Sequence, residues 1–301
     1  RAAALANGVT AHALDYDDTH FAHVGHPSVA ALPAALAIAE DRGLSAAALR
    51  DAFLVGAEAS IRLGVVLGQR HYDHGFHQTA TAGCFGASVA AGRLLDLGPQ
   101  RLRMALSLAS TRASGLKAQF GTMGKPYNAG IAAANGVEAA LLAERGFISC
   151  DDGLGAAQGF LATHAATAAD WPAADGFLFE DIKHKFHACC HGTHAMIEAL
   201  QKLMTQRAIA PDAIASIEVR VNPRWLKVCD IKAPRSGLEI KFSYAYLAAM
   251  VLSGIDTAAD HSYADAVCDS AALRQLSQRV TVVGDAHIGD TETEVALMLP
   301  D

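Results

Sequence analysis

No C-x-x-C pair occurs among the six cysteines, Cys84, Cys150, Cys189, Cys190, Cys229 and Cys268. A thiolate-held iron–sulfur cluster needs several clustered cysteines, and this spacing does not supply them. In a chain of 301 residues they read as free thiols of a reducing compartment, so a cytoplasmic location is expected. No run approaches the roughly 18 apolar residues that cross a bilayer, so no membrane partner is expected. No charged segment followed by an apolar run and a small-residue cleavage site stands within the sequence, which speaks against a secretory signal. Charge is scarce, 18% of residues, and the formal net charge is −7 with no basic stripe or arm. Nucleic acid is therefore not an expected partner. What the chain has instead is apolar bulk, 51%. That supports a sizeable core in one large domain or two ordinary ones and argues against disorder.

Helical signals dominate the first half. Ser28 is placed to cap a helix over Val29–Asp41, with Gly43 just past its end. Ser45 is placed to cap a second over Ala46–Leu67, followed by the polar break GQRHYDHGFHQ. Thr79–Leu95 is a third, whose Gly83, Gly86, Ala87 and Ala90 give a small-residue face for close helix approach. Pro99 suits the first turn of a helix over Gln100–Ala113. After the Gly-punctuated loop Gly115–Gly124, Pro126 suits the start of a helix running to Glu144, with Gly146 as its stop. The pattern changes after the Pro/Asp-containing stretch Ala169–Gly176. Thr193–Met204 and Phe242–Leu252 read as helices, and Ala215–Val221, Arg279–Val283 and Thr293–Leu299 as strands. The expected fold is mainly α: a large all-helical domain over residues 1–181 and a smaller α+β domain over residues 182–301. Both ends read as cut, so a piece of a longer protein is expected, with earlier helices missing.

Titratable groups concentrate in four places. Ala11–Ser28 holds His12, His20, His23 and His26 together with Asp15, Asp17, Asp18 and Thr19. If Ala2–Asp18 is one helix, His12, Asp15 and Thr19 share a face, which gathers an imidazole, a carboxylate and a hydroxyl. Such a set suits general acid/base chemistry, against the plainer reading of a solvated acidic helix end. His71, His74 and His77 repeat the H-x-x-H-x-x-H spacing of His20, His23 and His26. Two such triplets raise a metal-hydrolase alternative, although three ligands at that spacing drift around a helix, and no metal is expected. Lys125, before Pro126, stands at a helix N-terminus, where free N–H groups favour an anion. Lys185–Ala199 carries His187, His191, His194 and the pair Cys189-Cys190. The thiols read as buried apolar groups and one histidine as functional.

Five segments in order, NGVTAHALDYDDTH with HPS, GFHQTATAGCFGASVAAGRLLDL, GTMGKPYNAGIAAANGVEAALLAERGF, KFHACCHGTHAMIEA and KFSYAYLAAMVLSG, together resemble the MmgE/PrpD family. The resemblance implies a homodimer in which the α+β domain acts as a lid over an active site between domains. It implies lyase chemistry on a small di- or tricarboxylate without a cofactor. The leading activity is a hydro-lyase of the 2-methylcitrate dehydratase kind, in propionate metabolism. A decarboxylase or an epimerase using the same pocket is the alternative. By motif the catalytic set is Asp15, Thr19, His26, His77, Lys125 and His194, with His12, Asp18, His191 and Lys125 binding substrate. His77 or His194 would serve as base, His26 or Asp15 as proton donor, and Thr19 would orient the substrate. The segment between Thr19 and His26 runs one residue longer than in the family's decarboxylase pattern. Gln78 stands where proline is common and Tyr127-Asn128 follows Lys-Pro. These departures bear on which acid is bound.

Overall fold

The computed structural model describes residues 1–166, 170–173, 175–207 and 209–300. The stretch Ala169–Gly176, where the sequence pattern changes, includes positions 169 and 174, which lie outside the described residues. The chain divides into two compact units. Unit 1 comprises residues 1–13, 17–119 and 123–184; unit 2 comprises residues 14–16, 120–122 and 185–301. No helix among the described residues is long and apolar enough to cross a membrane.

Unit 1 is helical: α1 (Ala2–His12), α2 (Ser28–Arg42), α3 (Ala46–Asp73), α4 (Gln78–Leu94), α5 (Pro99–Ser110), α6 (Gly124–Glu144) and the short α7 (Phe160–Thr163). Its centre is α4, packed by α2, α3, α5 and α6. Small residues make that possible. A Cβ at Gly86 would lie 2.5 Å from the Gly56 carbonyl oxygen of α3, and one at Gly136 of α6 would lie 2.5 Å from Ala87 Cβ. Alanines fill the space between, among them Ala30, Ala80, Ala87, Ala133 and Ala139, all buried. With few large side chains, the helices approach backbone to backbone and reach native density that way.

Unit 2 contains α8 (His194–Gln206), β1 (Ser216–Val221), α9 (Pro223–Cys229), α10 (Gly237–Ile240), α11 (Tyr244–Leu252), α12 (Asp265–Cys268), α13 (Ala271–Ser277), β2 (Val280–Gly284) and β3 (Thr293–Met298). The sheet order is β2-β1-β3, with β1 parallel to β2 and antiparallel to β3. Ile217, Val219 and Val221 alternate inward from the central strand. The wholly buried α11 lies against α8 and α13.

Three local expectations are corrected. The first helix ends at His12 rather than Asp18. The Leu14 and Asp15 carbonyls accept from the ammoniums of Lys241 and Lys185, not from helix amides, and Asp15 turns to φ 51°. His12, Asp15 and Thr19 therefore share no helix face. Ser28 lies inside α2 and does not cap it; its hydroxyl donates to Asp18 Oδ2 at 2.6 Å. The polar break after Leu67 is helical to Asp73, with a kink where Gly68 takes φ 65°. Ser45 does cap α3, accepting from the Ala48 amide, and Gly43 closes α2 at φ 61°.

The crossing of α3 and α4 yields a prediction. Gly86→Val forces a side chain into the Gly56 backbone and should destabilise unit 1 by about 1–3 kcal/mol or more. Urea denaturation checks this, with the exposed Gly98→Ala expected to be near neutral because nothing lies within 4 Å of a Cβ there.

Candidate active site

Four helix ends of unit 1 bring their side chains together. His12 is the last residue of α1, His77 precedes α4, Lys125 stands in the first turn of α6, and His26 leads into α2 through Pro27. The imidazoles of His12 and His26 meet edge to face at 4.7 Å, and those of His12 and His77 stack at 5.9 Å. All four side chains are buried.

Asp17 is the hub. Its carboxylate lies 2.8 Å from His12 Nδ1 and 3.0 Å from His26 Nδ1. Burial alone would raise its pKa, but the facing imidazoles and their hydrogen bonds outweigh burial and hold the carboxyl well below its ordinary range. His12 moves the other way. Burial lowers its pKa to about 4 against the pull of Asp17, and Lys125 pushes it further down. The consistent state is an ionised Asp17 and a neutral His12. His12 then donates from Nδ1 to Asp17 and accepts at Nε2 from the Lys125 ammonium, 3.0 Å away. Lys125, His12 and Asp17 thus form a relay from cation to anion through one neutral ring.

His77 is set by other neighbours. Its amide donates to the Gly115 carbonyl at 2.9 Å. Asn128 Nδ2 lies 3.2 Å from His77 Nδ1 and 3.2 Å from the Leu116 carbonyl. An amide nitrogen so placed is a donor, so His77 Nδ1 accepts and its ring proton resides on Nε2. The His26 backbone is fixed by its amide on Thr79 Oγ1 at 3.1 Å.

Asp18 is engaged by Ser28 through hydroxyl and amide, and burial raises its pKa. Thr19 exchanges backbone hydrogen bonds with Lys183 at 2.9 and 2.7 Å. Asp15 belongs to unit 2, where Lys185 Nζ donates to its Oδ1 at 3.0 Å. His194 also lies in unit 2, with its ring 4.9 Å from that of His187 and 4.7 Å from that of His191. Burial first, then Lys185 and the two neighbouring imidazoles, lowers its pKa to about 2, so it stays neutral. His187 bridges Glu198 and Thr257. Cys189 is buried and its thiol pushed up to about 12, which fits the apolar reading.

The histidine triplets do not converge. His71 hydrogen-bonds Thr81 and the His164 carbonyl, His20 the Leu178 carbonyl, and His23 packs against Gly64. Among the described residues, the metal-capable grouping takes only His26 from the six. His12, Asp17 and His26 do offer ligand atoms within 4.8 Å of one another. The Lys125 ammonium against His12 suits that set to a hydrogen-bond relay rather than a cation. Sequence reasoning missed Asp17 and Asn128. Their signals were present: Asp17 is one of three aspartates in four residues, and Asn128 lies three residues past Lys125, one turn along α6.

Buried neutral imidazoles predict a pH dependence. His23 is wholly buried, and burial lowers its pKa from 6.5 to about 3. The unfolded chain therefore binds a proton that the fold refuses between those values, so stability falls as pH drops from 6.5 towards 3. His23→Leu should flatten the slope of unfolding free energy between pH 4 and 6 by about 1.4 kcal/mol per pH unit. Denaturant titrations across that range measure it; an unchanged slope contradicts a neutral His23.

Comparison with known proteins follows the same division. A family model described as the MmgE/PrpD N-terminal domain matches residues 1–171, and one described as the MmgE/PrpD C-terminal domain matches residues 187–296. Cis-aconitate decarboxylase of Homo sapiens is 32% identical over 272 residues, covering 84% of this chain and 55% of that protein. The Mus musculus enzyme of the same name is 31% identical over 269 residues, covering 84% and 54%. That of Aspergillus terreus (strain NIH 2624 / FGSC A1156) is 32% identical over 220 residues, covering 67% and 45%. The chain spans about half the length of the curated relatives it matches.

Proposed function

This chain belongs to the MmgE/PrpD family, and on that premise we propose that it is a lyase acting on a small tricarboxylate. Decarboxylation of cis-aconitate is the first reaction to test, because the similar curated proteins carry that activity in their names. Dehydration of 2-methylcitrate, the reading favoured by the sequence motifs, is the second.

One observation carries the proposal. The N-termini of α2, α4 and α6 and the Lys125 ammonium gather around three buried imidazoles and the half-buried Asp17 carboxylate. Helix N-termini present free N–H groups and positive dipole ends, so this arrangement favours a polyanion. The neutral His12 ring links the Lys125 ammonium to the Asp17 carboxylate, so cation and anion stand in one row beside these helix ends.

The chemistry follows from proton positions. When the carboxylate on the saturated carbon beside a double bond leaves as carbon dioxide, its bonding pair forms a new double bond and displaces the old one's pair. The pair comes to rest on the far carbon, which must take a proton. Lys125 would hold a spectator carboxylate and stabilise the charge as it spreads. His77, with its proton on Nε2, is a suitable donor to that carbon. His26, whose Nδ1 faces Asp17, presents Nε2 as the nitrogen able to accept or return a proton. Thr19 is assigned the task of orienting the substrate. Water loss from a hydroxy acid would use the same groups with His26 as base and His77 as acid.

The assay is proton NMR of product from cis-aconitate and from 2-methylcitrate, with carbon dioxide release measured alongside. Lys125→Ala, His26→Ala and His77→Ala should each lower kcat/KM by about 10²-fold or more, the scale of general acid/base loss. Full turnover by all three folded variants would sink the assignment. Asp15→Asn and His194→Gln in the same assay test the unit 2 candidates.

A further inference from the structure

We propose that Glu58 and Arg62 of α3 form a positioning clamp that fixes the loop carrying His26, acting through the connection that leads out of unit 1. Nothing in the residue types suggests it: a Glu and an Arg at i, i+4 on a helix ordinarily make a solvent ion pair of small worth. Here the pair is turned inward. Glu58 is buried, with Arg62 Nε 2.7 Å from its Oε1.

Both side chains also bond the backbone of Pro172, Ala173, Gly176, Leu178 and Phe179. Glu58 Oε1 accepts from the Leu178 amide at 3.1 Å and Oε2 from the Phe179 amide at 2.9 Å. These are the first donors of the turn Leu178–Asp181, which no residue at its own start caps with a side chain. A carboxylate from another helix thus caps it. Arg62 donates to the carbonyls of Pro172 at 3.1 Å, Ala173 at 2.7 Å and Gly176 at 2.9 Å. One guanidinium fork therefore closes the loop before the turn while the carboxylate it pairs with starts the turn. Phe53, on the same helix, adds an edge-to-face contact with Phe179 at 5.6 Å.

The clamped turn holds the His26 loop. The Leu178 carbonyl accepts from His20 Nε2 at 3.0 Å, and Lys183 pairs backbone to backbone with Thr19. His20 then uses its other nitrogen, Nδ1, to accept the His23 amide at 3.2 Å, and its own amide donates to the Gly25 carbonyl at 2.9 Å. His26 is the next residue. The chain of contacts runs Arg62–Glu58, Leu178, His20, Gly25, His26, all within unit 1. None of Glu58, Arg62 or His20 is placed among the groups that touch substrate, so each is a positioning residue. The activity readout rests on the lyase reading above; the structural readout does not.

The test uses three variants: Arg62→Lys, which keeps the charge and loses the fork; Glu58→Gln, which loses one acceptor; and His20→Asn, which keeps a donor and an acceptor. Arg50→Ala, an exposed residue of the same helix, is the control. Hydrogen exchange should accelerate by about tenfold or more at the amides of 178–179 and 19–26 in Arg62→Lys and Glu58→Gln, the effect of losing one buried hydrogen bond or more. Amides of α4 and α6 should keep their protection. His20→Asn should loosen 19–26 while leaving 178–179 protected. With active protein, kcat should fall about tenfold with KM changed much less, since the pair acts on a proton-transfer group. Unchanged exchange at 19–26 in Arg62→Lys and Glu58→Gln overturns the clamp, whatever the activity. If wild-type protein turns over neither acid, the lyase reading fails and the exchange result still decides the clamp.

Discussion

Close approach of α3, α4 and α6 is the constraint from which the rest of unit 1 follows. These helices meet through glycine and alanine, with Gly56 against Gly86 and Gly136 against Ala87. Backbones in such contact have little freedom to slide or rotate, because a displaced Cβ strikes a carbonyl rather than a flexible side chain. The candidate side chains are attached where those helices begin or end. His77 stands immediately before α4 and Lys125 in the first turn of α6, so their separation is a property of the packed scaffold. Loops carry function most accurately when a rigid element fixes both their ends. The short polar connections here are fixed in that way, with the Gly115 carbonyl taking the His77 amide and Thr79 taking that of His26.

A buried cation, a half-buried anion and a neutral ring in one row also need each other. An isolated ammonium or carboxylate at such depth would be strongly disfavoured. Between Lys125 and Asp17 the neutral His12 transmits a hydrogen bond at each end, so neither ion is orphaned. Unit 2 solves a related problem differently. Lys185 is buried with its ammonium on the Asp15 and Cys189 carbonyls and the Asp15 carboxylate. Lys241 places its own on the Leu14 and Ala188 carbonyls, over the ring of Tyr263. Both lysines tie the excursion of residues 14–16 to unit 2 and satisfy carbonyls that the interrupted helix leaves open.

Much of the architecture was legible because it rests on local chemistry. Helix stops at Gly43 and Gly146 and the alternation of Ile217, Val219 and Val221 need no tertiary information. Helix α1 was overrun for the opposite reason. Leu14 to Asp18 carries no glycine or proline, and what ends the helix is a pair of lysines about 170 and 227 residues away. The segments of the candidate site were legible as clusters of histidine and aspartate, but the pairing within them was not. Asp15, Asp17 and Asp18 are chemically equal in sequence. Only the fold sends Asp15 to Lys185, Asp18 to Ser28 and Asp17 to the two imidazoles. The same blindness hid Glu58 and Arg62, whose spacing reads as an ordinary helix-surface pair until the backbone of Pro172, Ala173, Gly176, Leu178 and Phe179 bonds to it.

The arrangement of protons then separates the three imidazoles that composition treats alike. His12 is bonded on both nitrogens and kept neutral by burial, so it transmits and does not titrate near neutral pH. His77 has its proton directed to Nε2 by the Asn128 amide, so in its neutral form it is a donor there. His26 has its Nδ1 3.0 Å from the Asp17 carboxylate, with Nε2 on the opposite side of the ring. In the proposed lyase chemistry these neighbours would make His77 the donor, His26 the acceptor and His12 the relay. Exchanging those neighbours, the Asn128 amide for a carboxylate or Asp17 for an amide, would reassign the protons without moving a ring.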